Sequence, residues 1–550
     1  MPKRFHPKYI FVVGGVMSSV GKGVTSSSIG AMLQCRGFRV TNIKCDMYVN
    51  IDAGTIRPTE HGEVFVGKDG VEADQDLGNY ERFTGNPMSR VNYVTTGQVY
   101  QEVIRRERNL EFDGEDVEVV PDIPNEIIRR IQLCQKTNRA EITVIELGGT
   151  VGEYQVLLFL EAARVMKMQK PSDVAFVLVS YLPLPRHIGE MKTKPTQYAV
   201  RSLNAAGLQA DFIIARGEQE LDNRRREKLA HVCNLRDGTV VAAPDVDSIY
   251  RVPLQFHEQG FDDRLLAMLG LRSKMSNFAE WKKLDSTIRS LKRSVKIGVV
   301  GKYFGTGDFT LADSYISVIE AAKHACWANH VAPELIWIDS EDYEKNPRAT
   351  RELSNYDGII VPGGFGTRGI EGVIRAIQYI REHEIPYLGL CYGMQLAAVE
   401  FARNVVGHKK AHTVEIDSHT PDPIITANPF QRNNIKTKNY GASMRLGSYP
   451  CDLAPNSHAR RAYGVASVSE RHRHRYEFNP AYQEVLSRHG VVFSGICPEN
   501  QLVEIMEIPK HPWFVGTQFH PEFQSRPNDP HPLFRDFVAA AKKRSRKRSR

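Results

Sequence analysis

Short apolar runs recur along the chain in two series, and stretches with helical composition separate the runs within each series. The first series lies at residues 9–13, 40–44, 142–146, 174–181 and 212–215, and the second at residues 296–300, 334–339, 357–361 and 387–390. Apolar strands that alternate with helices indicate an α/β fold whose sheets are largely parallel. We therefore predict two doubly wound α/β domains, each built on a parallel sheet.

The length of 550 residues also requires more than one hydrophobic core. Between the two series, residues 272–294 are rich in Lys, Arg and Ser and lose the strand pattern, which predicts a helical linker. We accordingly place the first domain at residues 1–271, the second at residues 295–541 and a basic tail at residues 542–550.

The formal net charge of +8 comes mostly from this tail, which carries seven positive charges and no negative one. Subtracting those seven charges leaves +1 for the rest of the chain, so nucleic-acid binding is not expected except through the tail. Such a charge run is typical of disorder. The tail could contact a polyanion, serve as an address signal or only aid solubility, and these alternatives stay open.

The lengths of the apolar runs and the spacing of the cysteines indicate the cellular compartment of the protein. No apolar run reaches the length that spans a bilayer, and the run at residues 9–13 is too short for a signal peptide. The eight cysteines are scattered without close pairs, which argues against a disulfide framework and against a zinc site. We therefore expect a cytoplasmic protein that keeps its thiols reduced and does not engage a membrane.

A cysteine at a sharp turn carries the clearest catalytic signal. Residues 386–390 predict a short strand, the Gly-Leu-Cys-Tyr-Gly sequence around Cys391 predicts a tight turn, and the next residues predict a helix. The start of that helix would favour a thiolate at Cys391. Far downstream, His520 could accept the thiol proton and Glu522 could orient the imidazole. The three residues together indicate acyl transfer through a thioester.

Two further segments fit the same chemistry. The predicted strand at residues 357–361 runs into paired glycines, and the backbone N–H groups around Gly364 could stabilise an oxyanion. Arg475 belongs to a dense basic cluster that could clamp a carboxylate, although Arg471 and His472 could equally lie on a solvated charged surface. Residues 295–540 thus resemble the class I glutamine amidotransferases, which release ammonia from glutamine with a Cys-His-Glu triad. The resemblance implies that glutamine is held by Gly364, Tyr392, Gly393, Met394, Gln395, Glu415 and Arg475.

The first domain opens with a phosphate-binding pattern, namely a strand, a Gly/Ser-rich loop that contains Lys22, and a helix. The loop departs from the standard P-loop, because its glycines are spaced one residue further apart and Gly23 stands where Ser or Thr usually follows the lysine. Magnesium must then be held elsewhere. Glu146 at the end of a predicted strand and Asp76 are the candidates, although Asp76 could also belong to an ordinary acidic loop.

A compact patch at residues 192–197 combines two lysines, two hydroxyls and an amide, which suits recognition of an anion and a base, and Lys228 on a predicted helix could add charge. Motifs at residues 14–23, 61–65, 80–83, 148–152, 192–197 and 247–250 together resemble the CTP synthase family over about residues 8–540. The resemblance implies a P-loop NTPase-like amidoligase domain followed by the amidotransferase domain. It also implies amination of UTP to CTP with ATP and glutamine-derived ammonia.

The same resemblance implies roles for individual residues. Lys22 and Lys44 would stabilise the transferring phosphoryl group, and Mg²⁺ would bind Asp76 and Glu146. ATP would lie along Ser19, Val20, Gly21, Lys22, Gly23, Val24, Asp76, Pro244, Asp245 and Val246. UTP or CTP would contact Ser18, Lys192, Thr193, Lys194, Pro195, Thr196, Gln197 and Lys228, and inhibitory CTP would contact Glu153, Tyr154 and Gln155.

The resemblance further implies a 4-phosphorylated UTP intermediate, ammonia channelled between the domains, activation by GTP, and assembly into homotetramers and filaments. Gln155 stands where many family members carry an acid, which leaves the strength of CTP feedback open. An alternative is another glutamine-dependent, ATP-using amidoligase with the same two modules. The patch at residues 192–197 favours the CTP synthase family over that alternative.

Overall fold

The computed structural model describes residues 6–185, 187, 189–301, 305–306, 309–310, 312–364, 366–428 and 441–548. The chain divides into two compact units, one formed by Met1–Asp52 with Asp76–Asp285 and the other by Ala53–Gln75 with Ser286–Arg550. Residues 53–75 therefore pack with the second half of the chain, although they lie in the first half of the sequence. The boundaries at residues 271, 294 and 541 stay a prediction.

The first unit is built on one parallel sheet of seven strands. Val, Ile, Ala and Phe fill most of these strands and are buried on both faces, as expected for a parallel sheet covered by helices. The spatial order is Tyr93–Thr95, Val40–Asp46, Ile142–Leu147, Lys8–Gly15, Val174–Tyr181, Phe212–Gly217 and Val240–Pro244. The five predicted strands are all present, and Tyr93–Thr95 and Val240–Pro244 are added at the edges.

Helices connect these strands in sequence order. Their bounds are Lys22–Cys35, Asp76–Thr84, Thr96–Arg108, Val119–Thr137, Leu157–Gln169, Lys194–Ala205, Asn223–Val232, Val252–Glu258 and Phe261–Met268. The helix Ala279–Ser290 lies within the stretch where the sequence predicts a helical linker. The parallel order puts the carboxyl ends of the strands at one edge of the sheet, where ligands bind in such folds.

The second unit is built on a mixed sheet of nine strands. Five parallel strands come first, in the order Ala332–Asp339, Ser294–Gly301, Gly358–Val361, Tyr387–Leu390 and Phe514–Thr517. Four antiparallel strands continue the sheet, in the order Val503–Glu507, Val492–Ile496, Arg445–Leu453 and Ser467–His474. The α/β class predicted for both halves is confirmed, whereas the antiparallel half of this sheet was not predicted.

The remaining elements of the second unit surround this sheet. A small sheet combines Ala411–Thr413, Asp422–Ala427 and Tyr476–Phe478, and two hairpins pair Val64–Val66 with Glu72–Asp74 and Gly305–Thr306 with Phe309–Thr310. The helices are Pro58–His61, Ile316–Ala328, Ser340–Lys345, Ile370–Glu382, Tyr392–Phe401, His458–Tyr463, Gln483–Arg488 and Pro532–Arg548. No helix in the described part of the chain is both long and apolar enough to cross a bilayer.

Residues 53–75, which we call the docking segment, are held to the rest of the second unit by an ion pair, a hydrogen bond and aromatic packing. The carboxylate of Glu72 accepts a hydrogen bond from Arg473 at 2.9 Å, and Arg471 donates to the backbone carbonyl of Val66 at 3.2 Å. The ring of Phe65 packs edge-on against that of Phe523, with 5.2 Å between centroids. The docking segment thus covers the strand Ser467–His474 and the turn that carries Phe523.

The predicted disorder of the basic tail is wrong for residues 542–548. Residues 542–548 continue the helix Pro532–Arg548 rather than forming a disordered extension. The helix is anchored by buried Phe534 and Phe537, and Lys542 and Arg544 donate hydrogen bonds to backbone carbonyls of the same unit. Lys and Arg are good helix formers and are favourable in a last turn, so the charge run extends an already anchored helix.

Candidate active sites

Cys391 sits in the second unit on a strained turn between the strand Tyr387–Leu390 and the helix Tyr392–Phe401. Its backbone has φ 49° and ψ −95°, which a non-glycine residue rarely adopts. The N–H of Cys391 donates to the carbonyl of Thr517 at 2.6 Å, which ties the turn to the neighbouring strand. This strand–turn–helix arrangement presents the sulfur at the edge of the sheet, as the sequence predicts.

His520 and Glu522 lie beside this turn. Nδ1 of His520 is 2.7 Å from Oε1 of Glu522. A Cβ added to Gly363 would lie 2.9 Å from Cε1 of His520 and 3.7 Å from Cβ of Cys391, so imidazole and cysteine flank the same glycine. The close approach explains why position 363 carries no side chain.

The electrostatics favour a charged imidazole. Burial lowers the pKa of His520, but the Glu522 carboxylate and the Cys391 sulfur outweigh burial and raise the pKa to about 10. Nε2 of His520 makes no hydrogen bond to the described residues. An imidazolium held between a carboxylate and a sulfur is the arrangement that activates a cysteine nucleophile.

A cavity of about 300 Å³ opens over these residues, entirely within the second unit. Gly364 and Arg475, both predicted to hold glutamine, line the cavity together with the three triad residues. Its other walls are Gly54, Thr55, Ile56, Arg57, Pro58, Glu63, Val64, Ser314, Tyr315, Val318, Gly363, Met444, Arg473 and Phe523. The docking segment therefore supplies one wall, although its residues lie more than 300 positions before Cys391.

The other predicted glutamine contacts divide into two groups. Glu415 accepts a hydrogen bond from the N–H of Gly366 at 3.0 Å, and the hydroxyl of Tyr392 donates to the Gly366 carbonyl at 3.2 Å, so both lie against the glycine-rich loop. Gly393, Met394 and Gln395 belong to the helix after Cys391 and are buried. The side-chain amide of Gln395 is used inside the protein, donating to the carbonyl of Tyr476 at 2.9 Å.

A buried ionic cluster underlies the triad. Arg445 donates to Glu504 at 2.7 Å and lies 3.7 Å from Glu477. Burial raises the pKa of Glu477 to about 8 and that of Glu504 to about 7. Burial and the Arg445 charge hold the pKa of His472 well below its ordinary value. Both Arg471 and His472 are fully buried, which excludes the alternative of a solvated charged surface at these two residues.

In the first unit, the loop that follows the strand Lys8–Gly15 leads into the helix Lys22–Cys35, as predicted. Nζ of Lys22 donates to the Gly149 carbonyl at 2.9 Å. A Cβ added to Gly23 would lie 2.6 Å from the carboxyl carbon of Asp76, with one carboxylate oxygen closer still. The space that a Ser or Thr side chain would take is therefore filled by the Asp76 carboxylate.

Two lysines and two carboxylates converge at this loop. Nζ of Lys44 forms ion pairs with Asp76 and, at 3.1 Å, with Glu146, whose other oxygen accepts the Tyr80 hydroxyl. Burial and the Lys44 charge lower the pKa of Lys22, opposed by the charges of Glu146 and Asp76. No group of three or more His, Cys, Asp or Glu residues in the described ranges could hold a metal alone. Two converging carboxylates do suit Mg²⁺, provided phosphate oxygens complete the ligand set.

The end of the strand Val240–Pro244 approaches the same loop. Arg216 donates to the Ala243 carbonyl at 3.0 Å and to Asp245 at 2.9 Å. A Cβ added to Gly21 would lie 3.4 Å from Nε of Arg216. Arg216, which sequence reasoning missed, thus links two of the predicted ATP-binding segments.

The patch at residues 192–197 lies where the helix Lys194–Ala205 begins. Lys192 forms an ion pair with Glu190 at 2.7 Å, and Lys192, Arg225 and Lys228 together lower the pKa of Glu190. Thr196 is buried and shares a hydrogen bond of 2.8 Å with Ser180, and Gln197 donates to the hydroxyl of Thr193 at 3.1 Å. Glu190 thus forms ion pairs with Lys192 and Arg225, and Lys228 adds to the positive charge that acts on this carboxylate.

Glu153 and Gln155 face each other at the end of the segment after the strand Ile142–Leu147. Glu153 accepts from the N–H and the hydroxyl of Thr150 at 2.8 and 2.7 Å and from the Gln155 amide at 2.7 Å. These hydrogen bonds, that from the Thr150 hydroxyl foremost, lower the pKa of Glu153 against the opposing effect of burial. Tyr154 between them is almost fully exposed. Ser18 is exposed at the start of the phosphate loop.

Comparison with known proteins covers nearly the whole chain. Residues 8–271 match the family model described as CTP synthase N-terminus, and residues 310–540 match the model described as glutamine amidotransferase class-I. Proteins named CTP synthase from Carboxydothermus hydrogenoformans and Thermococcus gammatolerans are 48% and 47% identical to the chain. Each comparison covers 98% of this chain and 99% of the relative.

A solved structure described as the glutaminase domain of Trypanosoma brucei CTPS with bound acivicin is 37% identical to the chain. It covers 46% of this chain and 94% of its own, with a TM-score of 0.42.

Proposed function

The chain belongs to the CTP synthase family, and from this membership we infer how its two units divide one reaction between them. The protein is a ligase that forms a carbon–nitrogen bond and converts UTP to CTP with ATP and glutamine. We assign glutamine hydrolysis to the second unit and amination of UTP to the first. The observation that carries the assignment is that Cys391 and His520 flank Gly363 in the second unit, while the phosphate loop with Lys22, and Lys44 beside it, lie in the first.

In the second unit, Sγ of Cys391 attacks the side-chain amide carbon of glutamine and forms a thioester. The imidazolium of His520 gives its proton to the departing ammonia, and Glu522 holds the ring in the orientation that this transfer needs. Backbone N–H groups around Gly364 stabilise the oxyanion. Arg475 and Glu415 bind the α-carboxylate and α-amino groups of glutamine, with Tyr392, Gly393, Met394 and Gln395 shaping the site, and water then hydrolyses the thioester.

In the first unit, the 4-oxygen of UTP attacks the γ-phosphorus of ATP and displaces ADP, because a carbonyl oxygen leaves readily only as phosphate. Ammonia then adds to the ring carbon and phosphate departs. Lys22 and Lys44 place positive charge against the transferring phosphoryl group. Asp76 and Glu146 would hold Mg²⁺, which supplies further charge neutralisation to the phosphates when bound.

The remaining nucleotide contacts follow the family. ATP lies along Ser19, Val20, Gly21, Lys22, Gly23, Val24, Asp76, Pro244, Asp245 and Val246. UTP and CTP contact Ser18, Lys192, Thr193, Lys194, Pro195, Thr196, Gln197 and Lys228. Glu153, Tyr154 and Gln155 contact inhibitory CTP, with the Gln155 amide turned towards Glu153. Neutral ammonia must reach the first unit without becoming protonated in bulk water, which a shielded passage would achieve.

We further propose activation by GTP and assembly into homotetramers and filaments, as in the family. A cytoplasmic location fits the eight cysteines, all of which are free thiols. Contact with nucleic acid is proposed only for the exposed side of the basic helix end.

The test distinguishes the activities of the two units by supplying nitrogen either as glutamine or as ammonium. The Cys391→Ala variant should make no CTP from UTP, ATP, Mg²⁺ and glutamine, and should make CTP at the wild-type rate when an ammonium salt replaces glutamine. Conversion of the uracil to the cytosine chromophore is followed by absorbance. A variant that is inactive with both nitrogen sources would contradict the division of labour, and full activity with glutamine would contradict the role of Cys391.

A further inference from the structure

Gln518 places its side chain against the sulfur of Cys391, and no step described so far uses it. Nε2 of Gln518 is 3.6 Å from Sγ of Cys391, within hydrogen-bond range for sulfur. The side chain is fully buried, and the backbone N–H of Gln518 donates to the Glu504 carbonyl at 2.8 Å. Gln518 is therefore held firmly next to the nucleophile.

The orientation of this amide follows from counting donors and acceptors. The backbone carbonyl of Tyr476 can only accept, so the group of Gln395 that faces it at 2.9 Å must be the NH₂ group. That same NH₂ group is 3.2 Å from the Gln518 amide and must donate to its oxygen. The oxygen of Gln518 is thereby committed, and its own NH₂ group is turned towards the sulfur.

The opposite orientation would be unfavourable for catalysis. A carbonyl oxygen facing the sulfur would repel a thiolate, whereas an N–H donor stabilises it more than it stabilises a thiol. A donor that is fixed before the reaction need not reorient when the charge forms. The amide of Gln518 thus provides a hydrogen-bond donor directed at the sulfur, in addition to the electrostatic effect of the His520 imidazolium.

We propose that Gln518 is a positioning residue that holds a hydrogen-bond donor on the sulfur of Cys391, and that Gln395 fixes this orientation through the Tyr476 carbonyl. The inference deepens the proposed function, since it rests on Cys391 acting as the nucleophile. It assigns Gln395 a part in orienting Gln518, in addition to its place near glutamine.

The test measures how fast iodoacetamide alkylates Cys391 at a series of pH values, with mass spectrometry of the peptide that contains Cys391. In Gln518→Met, which keeps the volume and loses the donor, the pH profile should shift to higher pH by about one unit, so that the rate on its rising part is about tenfold lower than in the wild-type protein. At pH values above the rising part of the profile, the alkylation rate of the variant should approach that of the wild-type protein. A purely structural defect would lower the rate equally at every pH.

Gln395→Met serves as a second variant that leaves Gln518 in place. Without the fixing donor the Gln518 amide can turn over, so a smaller shift in the same direction is expected. Gln378→Met, which changes a glutamine on the helix Ile370–Glu382 whose side-chain amide donates to Glu382 at 2.9 Å, should keep the wild-type profile. A cooperative thermal unfolding transition checks that each variant is folded.

The outcomes separate this proposal from the function on which it rests. If alkylation of wild-type Cys391 leaves glutamine-dependent synthesis intact, the role of Cys391 as nucleophile fails. If alkylation abolishes that synthesis and Gln518→Met keeps the wild-type pH profile, the positioning role of Gln518 is overturned. An unshifted profile in Gln395→Met overturns the part assigned to Gln395.

Discussion

Replacing Gly23 by alanine should disable the first unit, even though alanine is closer in size to the Ser or Thr that follows the lysine in a standard P-loop. The added Cβ would lie 2.6 Å from the carboxyl carbon of Asp76. Carbon atoms in contact are normally about 3.5–4.0 Å apart, so the carboxylate must retreat by roughly 1 Å. That retreat pulls Asp76 away from Lys44, with which it forms a buried ion pair.

The size of the effect follows from these contacts. Overpacking of a filled site costs about 1–3 kcal/mol of folding free energy. Displacing a catalytic group by about 1 Å can lower a rate roughly 100-fold. We therefore expect Gly23→Ala to lower ammonium-driven CTP synthesis about 100-fold, with only a modest loss of stability.

The assay uses ammonium as the nitrogen source, so that the triad is not needed, and measures glutamate release separately as a control for the second unit. Gly217→Ala is the matched control, because a Cβ there would meet its nearest neighbour at an ordinary 3.5 Å. Adding Asp76→Ala to Gly23→Ala should recover stability but not activity. Near-normal ammonium-driven synthesis in Gly23→Ala would refute the argument that Asp76 takes the place of the missing hydroxyl.

Two further predictions concern the second unit. The pKa of His520 is raised from 6.5 to about 10, so its charge pairing with Glu522 adds stability that is fully present below about pH 6.5 and is lost as the pH rises through about 10. Glu522→Gln should therefore lower the unfolding temperature at neutral pH, with a deficit that shrinks towards pH 10, and a deficit independent of pH would contradict this. Phe65→Ala removes a buried ring that packs on Phe523, and should cost about 3–5 kcal/mol. It should speed amide exchange in the strand Ser467–His474, whereas Phe159→Ala in the core of the first unit should leave that exchange unchanged.

The features that the sequence predicted are those with local signals. The turn at Cys391 was predictable because a strand, two flanking glycines and a helix follow one another within ten residues. The parallel strands were predictable because burial on both faces requires nearly continuous apolar runs. The phosphate loop was predictable from one lysine between glycines after a strand.

The features that were missed depend on contacts between distant residues. The antiparallel strand Ser467–His474 has the sequence of a charged surface, because the partners that bury its Arg and His side chains, among them Glu504, Glu72 and the Val66 carbonyl, are distant in sequence. Nothing near Gly23 reveals that its neighbour in space is Asp76. Gln518 was visible beside His520, but its donor direction depends on a hydrogen bond from Gln395, which no sequence pattern encodes.

The docking segment has a consequence for how the polypeptide can be divided. A fragment that begins at Ser286 would keep the triad and lose the wall of its cavity that comes from residues 54–64, together with the Glu72 carboxylate that Arg473 engages. The residues that form the glutamine site are therefore not contiguous in the sequence. To express a complete second unit alone, residues 53–75 must be added, either as a separate peptide or as a fusion.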